Sequence, residues 1–380
     1  MIWGEELDST AVLDGFLIRD GNDDRSPTSA GNGLGGGLYV HGYGQTGFCR
    51  PTIRNCQFTN NMASWGAGAF NNGYAGGNAE PYYENCIFYQ NHAYIEAGGM
   101  DSYGVGGNAS PTVVNTIFYA NTSATNVGAM YAWGGNSGGN CHPVLINCIF
   151  ANNTATNGYG GAFIADAMDE NGSTSSGSCT VTLQNCVLWN NSATGDGPQF
   201  YIRGNGEVLA TYSDIDMTGQ TGAHVISGPG TGNLNTSPMF VDIMDAMGLD
   251  GCWLTSDDGL QLQSGSPLIN AGLMAGAPAT DILGAARDGN IDIGAYEYQT
   301  MLNLETPAKG FQFYPNPTNG WLQLTFDAPG EHQVAVYDLM GRVYLQKQLQ
   351  GSAAIDVSQL ASGVYLLKVD NGSEYRFVRE

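Results

Sequence analysis

The chain has 380 residues, with 12 Lys and Arg against 35 Asp and Glu, and a formal net charge of −23. That balance disfavours nucleic acid and anionic membrane surfaces as partners, because binding phosphate needs a basic face. Hydrophobic residues make up 42% of the chain, enough for a core; the 56 glycines show no Gly-X-Y period, and no run of 18 apolar residues offers a membrane-spanning helix.

Charge and glycine are unevenly spread. Residues 1–300 hold six Arg, no Lys, 27 acidic residues and 49 glycines, whereas residues 301–380 hold six basic residues, eight acidic residues and seven glycines. A shift that sharp predicts a domain boundary near residue 300.

In chain order, AVLDGFLIRDGN (11–22) already reads as strands and turns, with Phe16 and Ile18 inward. GGGLY (35–39) follows, and from residue 55 a unit recurs: NCQFTNN (55–61), NCIFYQN (85–91), NTIFYAN (115–121), NCIFANN (147–153) and NCVLWNN (185–191). A strand start precedes each copy: CRPTI (49–53), AEPYY (79–83), ASPTV (109–113), CHPVL (141–145) and CTVTL (179–183). Small residues and an apolar one follow each: GAGAF (66–70), AGGM (97–100), VGAM (127–130), YGGAF (159–163) and DGPQF (196–200). Apolar positions alternate within each short piece, which is the period of a strand. A unit of roughly 30 residues with three short strands cannot close its own core and must stack on its neighbours.

The expected fold is therefore all-β. Residues 1–299 read as a right-handed, single-stranded parallel β-helix of about 9–10 coils, with an axis of roughly 45 Å. LATYSDI (209–215), SPMFVD (237–242), GLQLQ (259–263), SPLINAG (266–272) and DIGAYEY (292–298) are counted as its later strands. The repeat pattern starts almost at once, so further coils and a secretion signal are expected ahead of residue 1.

Stacking turns repeat positions into columns. Ile53, Tyr83, Val113, Leu145 and Leu183 form one inward column; Phe58, Phe88, Phe118, Phe150 and Leu188 form a second. Asn55, Asn85, Asn115, Asn147 and Asn185 occupy a bend where stacked amides can bond along the axis, and Asn61, Asn91, Asn121, Asn153 and Asn191 the next corner. Cys56, Cys86, Cys148 and Cys186 share a column with Thr116, and Cys49, Cys141 and Cys179 lie seven residues earlier. The pairs Cys56–Cys86, Cys141–Cys179 and Cys148–Cys186 fall about one strand spacing apart, so each reads as a possible disulfide or as two buried free thiols. No C-x-x-C suggests zinc, and no recurring His suggests a catalytic thiol.

Residues 300–310 (TMLNLETPAKG) read as a linker, and 311–380 as a small immunoglobulin-like β-sandwich of short alternating strands.

Three stretches carry resemblances. The repeats resemble those of pectin-lyase-like bacterial surface β-helices. GTGNLNTSPMFVD, LQLQSGSPLINAG and ATDILGAARDGNIDIGAYEY, within 230–298, resemble a choice-of-anchor Q domain. FQFYPNPTNGWLQLTF, VAVYDLMGRVYLQKQL, IDVSQLASGVYLLKV and EYRFVRE are similar to the type IX secretion C-terminal sorting domain. These resemblances imply export to the cell surface or extracellular space, with the type IX translocon and its outer-membrane shuttle as partners and cleavage within the linker.

The pectin-lyase-like resemblance also brings polysaccharide lyases and glycoside hydrolases into view. Such chemistry needs carboxylates and a basic residue converging from consecutive coils. The Arg residues (Arg19, Arg25, Arg50, Arg54, Arg203 and Arg287) look scattered, and Asp166 with Asp169 and Glu170, like Asp257 with Asp258, reads as a solvated loop. No catalytic residue and no cofactor is expected; a structural calcium is conceivable at the acidic turn Asp20, Asp23 and Asp24. Tyr74, Tyr103 and Trp133 follow the glycine-rich corner at similar offsets and form a candidate stripe for stacking sugars, against the plainer reading of local packing. The expectation is a non-catalytic surface protein for adhesion, surface architecture or glycan binding, with a carbohydrate-active lyase or hydrolase as the alternative.

Overall fold

The computed structural model describes residues 2–3, 6–23, 33–42, 44, 47–136, 138–169, 171–173, 176–221, 224–227, 230–287, 289–299, 311–327, 329–338, 342–370 and 373–379. The chain divides into two compact units, residues 1–298 and 299–380. The expected linker, 300–310, lies outside the described residues.

The first unit is built from parallel strands one repeat apart. One sheet runs through Ile2–Trp3, Leu38–His41, Ala69–Asn72, Met100–Tyr103, Met130–Trp133, Phe163–Ala167 and Phe200–Gly204. A second runs from Val12–Asp14 through Thr52–Arg54, Tyr82–Glu84, Thr112–Val114, Val144–Ile146 and Ser178–Gln184 to Glu207–Thr211. A third runs from Leu17–Arg19 through Gln57–Thr59, Ile87–Tyr89, Ile117–Tyr119, Ile149–Ala151 and Val187–Trp189 to Asp214–Ile215. Among the described residues the first and third sheets each have seven strands, so the stack has seven rungs and spans roughly 30 Å.

That is shorter than the coil count expected from sequence, and the reason lies in residues 236–298. Two isolated bridges, Leu209 to Ser227 and Asp214 to Leu234, begin another rung, and no strand follows among the described residues up to 298. The chain instead folds as successive turns over the outer face of the third sheet. Phe240, Trp253, Leu260, Leu268, Ile282, Ile293 and Tyr296 bury against Ile87, Ile117, Ile149 and Val187. Those four face away from the Phe column, and a sheet apolar on both faces requires a cover. SPMFVD, GLQLQ, SPLINAG and DIGAYEY are thus this cover and not further coils.

The cover is held by buried polar groups. Arg287 pairs with Glu297 at 2.8 Å and donates to Asn115 Oδ1 at 3.1 Å and to the Gly294 and Ala295 carbonyls. Asp281 accepts the backbone N–H groups of Leu283, Ala285 and Glu297. Asp258 accepts the Tyr296 hydroxyl at 2.6 Å, which makes it a buried brace and not part of a solvated loop.

Within the stack, Phe58, Phe88, Phe118 and Phe150 lie ring on ring at 4.7, 4.7 and 4.5 Å, tilted by less than 10°. Ile18 and Leu188 continue the column below and above. Glycine is required beside it, since a Cβ on Gly68 would sit 2.7 Å from the Phe88 ring. The buried corner carries a continuous amide ladder: Asn61 donates to Asn91, Asn91 to Asn121, Asn121 to Asn153 and Asn153 to Asn191, at 2.9 to 3.0 Å. Each amide also caps a carbonyl one rung back, such as Phe88 O from Asn121 at 2.8 Å. The left-handed residue at that corner is the one before each Asn, for example Asn60, Gln90 and Ala120.

The other amide column is interrupted. Asn55, Asn85, Asn115, Asn147 and Asn185 all adopt positive φ, between 45° and 54°. Asn85 bonds to Asn55, Asn115 to Asn85 and Asn185 to Asn147, at 3.2 to 3.3 Å. Asn115 and Asn147 also turn outward, donating to Thr280 O and Gly294 O in the cover.

The thiols of Cys56, Cys86, Cys141, Cys179, Cys148 and Cys186 are free, so the pairs Cys56–Cys86, Cys141–Cys179 and Cys148–Cys186 are not bonded. The column's composition gives the reason. Cys56, Cys86, Cys148 and Cys186 each donate to the carbonyl two residues back, as do Thr116 (2.9 Å) and Ser213 (3.1 Å) at the equivalent rungs. The position asks for a small donor. Phe16 falls at this position, below Cys56, and its ring is left 55% exposed, not inward as expected.

The second unit is antiparallel. Phe311–Tyr314, Trp321–Phe326 and Ala353–Asp356 form one sheet; Val343–Gln350, Glu331–Asp338, Gly363–Val369 and Ser373–Arg379 form the other. Phe311, Leu322, Leu324, Val336, Ile355, Leu367 and Phe377 fill the space between them.

Candidate functional site

Alternation along the first sheet decides which side chains reach its outer face. Leu38, Ala69, Met100, Met130, Phe163 and Phe200 point into the core. Their neighbours therefore face outward, in register: Tyr39, Phe70, Asp101, Tyr131, Ile164 and Tyr201. Two residues further on runs a second outward row: His41, Asn72, Tyr103, Trp133, Asp166 and Arg203.

On this face lies a groove of about 530 Å³. Tyr39, Trp65, Phe70, Tyr74, Tyr103 and Trp133 supply rings to its walls, and Glu96 and Asp101 supply carboxyls. The three aromatic residues expected from sequence come together here. Tyr74 meets Tyr103 at 5.7 Å between ring centres, and Tyr103 meets Trp133 edge-on at 5.1 Å. Trp133 is held by its indole N–H, which donates to Met168 O at 2.8 Å, and Tyr39 accepts from the Asn72 amide at 2.6 Å.

The carboxyls are unusual for their surroundings. Asp101 is 1% exposed, and its Oδ1 has no hydrogen-bond partner. Burial, reinforced by the neighbouring Glu96, pushes its carboxyl well above the usual range. Glu96 is pushed up by burial too, opposed by the Asn126 amide at 3.0 Å and by Arg203. Beside them, Asp166 receives Arg203 at 2.9 Å, the Tyr131 hydroxyl at 2.6 Å and the Met168 N–H at 2.8 Å. Burial still outweighs these partners and raises the Asp166 carboxyl. Arg203 is destabilised by burial, but Tyr131, Asp166 and Glu96 more than offset that, and its pKa rises. Arg203 thus serves Asp166 and Glu96, while Asp101 feels the like charge of Glu96.

Sequence reasoning placed two of these residues wrongly and passed over two others. Asp166 does not belong to a solvated loop; it sits on the strand Phe163–Ala167, fully buried, while Asp169 lies in the turn beyond and Glu170 lies outside the described residues. Arg203 is not a scattered cation but its partner on the next rung. Glu96 and Asp101 drew no attention. The signal was available in the aligned repeats: extending GAGAF, AGGM, VGAM, YGGAF and DGPQF by two or three residues gives AFNN, MDSY, MYAW, FIAD and FYIR, whose outward positions are aromatic or charged at all but Asn72 and Ile164.

The acidic turn behaves differently. Asp20 forms an exposed ion pair with Arg19 at 2.7 Å, Asp23 accepts the Leu34 N–H at 3.2 Å, and Asp24 lies outside the described residues. Among the described residues no three His, Cys, Asp or Glu side chains come close enough to hold a metal ion.

Residues 312–379 match the family of secretion system C-terminal sorting domains. No curated protein matches the chain. The sorting domain indicates export by the type IX system to the cell surface or extracellular space, which implies contact with that secretion machinery. No helix of the described residues is long and apolar enough to cross a membrane.

Proposed function

We propose that this chain is an exported surface protein whose β-helix binds glycan in the groove on its first sheet, serving adhesion or surface architecture. The observation that carries the reading is the convergence of Tyr74, Tyr103 and Trp133 with Tyr39, Trp65 and Phe70 along successive rungs. Rings set in a row along a rigid stack suit a chain of pyranose rings, each offering an apolar face. The repeats' resemblance to pectin-lyase-like helices and that of 230–298 to the choice-of-anchor Q domain agree with such a role.

A glycan array followed by calorimetry tests this. Wild-type protein is expected to bind at least one oligosaccharide class, and Trp133→Ala to weaken that binding by about tenfold with an unchanged melting curve. No binding to any glycan defeats the reading. A hydrolase or lyase is the second reading, favoured by Glu96 and Asp101 in the groove with the Asp166–Arg203 pair on later rungs of the same sheet face. New reducing ends or unsaturated products would move the protein to that class.

A further inference from the structure

We infer that the groove selects sugars bearing a protonated amine, with Asp101 as the counter-ion and the surrounding rings as a cage. This rests on the glycan reading above and names the substrate class.

Three observations lead there. First, charge is unbalanced. Arg203 sits 2.9 Å from Asp166, bonds Tyr131 and offsets Glu96, whereas the charged group that acts on Asp101 is Glu96, of like sign. Among the described residues that line the groove His41 is the one basic side chain, and residues 1–300 contain no lysine. Second, Asp101 Oδ1 is buried without a partner, which is rare in folded proteins and here falls on a residue that lines the groove. Third, the walls are aromatic, and ring faces attract cations most strongly when water is excluded.

Competing ligands fit less well. A uronate would bring a like charge to an acidic groove on an acidic unit. A divalent metal would find no set of three ligands among the described residues. A neutral sugar would leave Asp101 with no positive group beside it. An ammonium group answers both the unpartnered oxygen and the deficit. Burial and the neighbouring Glu96 push the Asp101 carboxyl up, and a cation seated beside it pulls it back down, so binding is coupled to release of a proton. Among the described residues, Glu96, Tyr39, His41, Tyr74, Tyr103, Tyr131, the Asp166–Arg203 pair and, from the core side, Cys141 are the other titratable groups around it.

Calorimetry on the full chain at about pH 6, where an amino sugar is cationic, decides the matter. The probes are a β-linked glucosamine hexamer, its N-acetylated counterpart, a glucose hexamer and an oligogalacturonate. The expected result is at least tenfold tighter binding of the glucosamine hexamer, weakening with salt, roughly as one charge pair predicts. Asp101→Asn should bring the ratio of amine to acetyl affinity to about one, and Glu96→Gln should lower it less. If Asp101→Asn does not fold, wild type titrated in two buffers of different ionisation enthalpy reports the released proton, expected with the amine and not with the acetylated sugar. Equal affinities, tighter uronate binding or an intact preference in folded Asp101→Asn overturns the inference while leaving glycan binding standing. Failure of all four probes together with an empty array defeats both.

Discussion

The two units are both all-β, yet their cores are specified differently. In residues 1–298, like side chains stand over like: Phe88 between Phe58 and Phe118, Asn121 between Asn91 and Asn153. In the sorting unit, contacts join unlike residues far apart in sequence, as where Phe311 packs on Tyr375 at 4.9 Å. The difference follows from strand direction. Parallel strands one repeat apart place equivalent residues side by side, so a repeat becomes a column; antiparallel strands reverse the order, so each cross-strand pair is its own solution. A stack also depends on its nearest neighbours, while a sandwich pools its core between two sheets.

Phe118→Ala should break this contrast most visibly. It opens the middle of the ring column and is expected to cost about 3–5 kcal/mol in denaturant unfolding. Hydrogen exchange should accelerate in peptides covering the adjoining rungs, 82–89 and 144–151, and stay near wild type in 321–326. Equal loosening everywhere would mean the stack does not act through its neighbours.

Asn121→Ala comes next. It removes the donor to Phe88 O and to Asn153 and the acceptor for Asn91, all buried, for about 2–4 kcal/mol. A loss near zero would show that the amide ladder is a consequence of the fold and not a support of it.

Asp214→Asn sharpens the view of the last full rung. Burial raises the Asp214 carboxyl to about 6, and its Oδ2 has no partner. A raised carboxyl stabilises the fold fully below its unfolded pKa, and that contribution is lost as pH climbs through about 6. The amide variant should therefore melt higher than wild type at neutral pH, by up to about 3 kcal/mol, with the gap closing toward pH values near 4. A gap independent of pH would remove Asp214 as the cause.

The smallest effect concerns the thiols. Cys148→Thr keeps a donor to Ile146 O and should cost less than Cys148→Val, the difference being about 1 kcal/mol. Thiol titration of denatured protein should count eight. A count short by pairs would restore the bonded alternative for Cys141–Cys179 and Cys148–Cys186.

Periodicity made the columns legible, because equal spacing in sequence became equal position in space. It failed where no period existed. Residues 236–298 have strand-like apolar pieces, but whether these continue the stack or cover its side depends on the outward Ile87, Ile117, Ile149 and Val187, which read as ordinary strand residues. Phe16 looked inward by alternation, and the small-donor column turned it out.

The groove shows the same division. Tyr74, Tyr103 and Trp133 were visible as recurring aromatics beyond a glycine corner. Glu96, Asp101 and the Asp166–Arg203 pair were passed over, because each charge occurs once and the outward rows that hold three of them emerge only when the repeats are aligned beyond the small-residue corner.

The amino-acid sequence by itself determined that the chain is all-β, that 30-odd-residue units stack, and that an export domain follows a shift in charge and glycine near residue 300. Tertiary structure alone decided where the stack ends, which sheet face is covered, and which carboxyls meet. The reason is physical: local alternation sets whether a side chain points in or out, while burial, charge deficit and an unpartnered oxygen arise only when separate rungs close over one another.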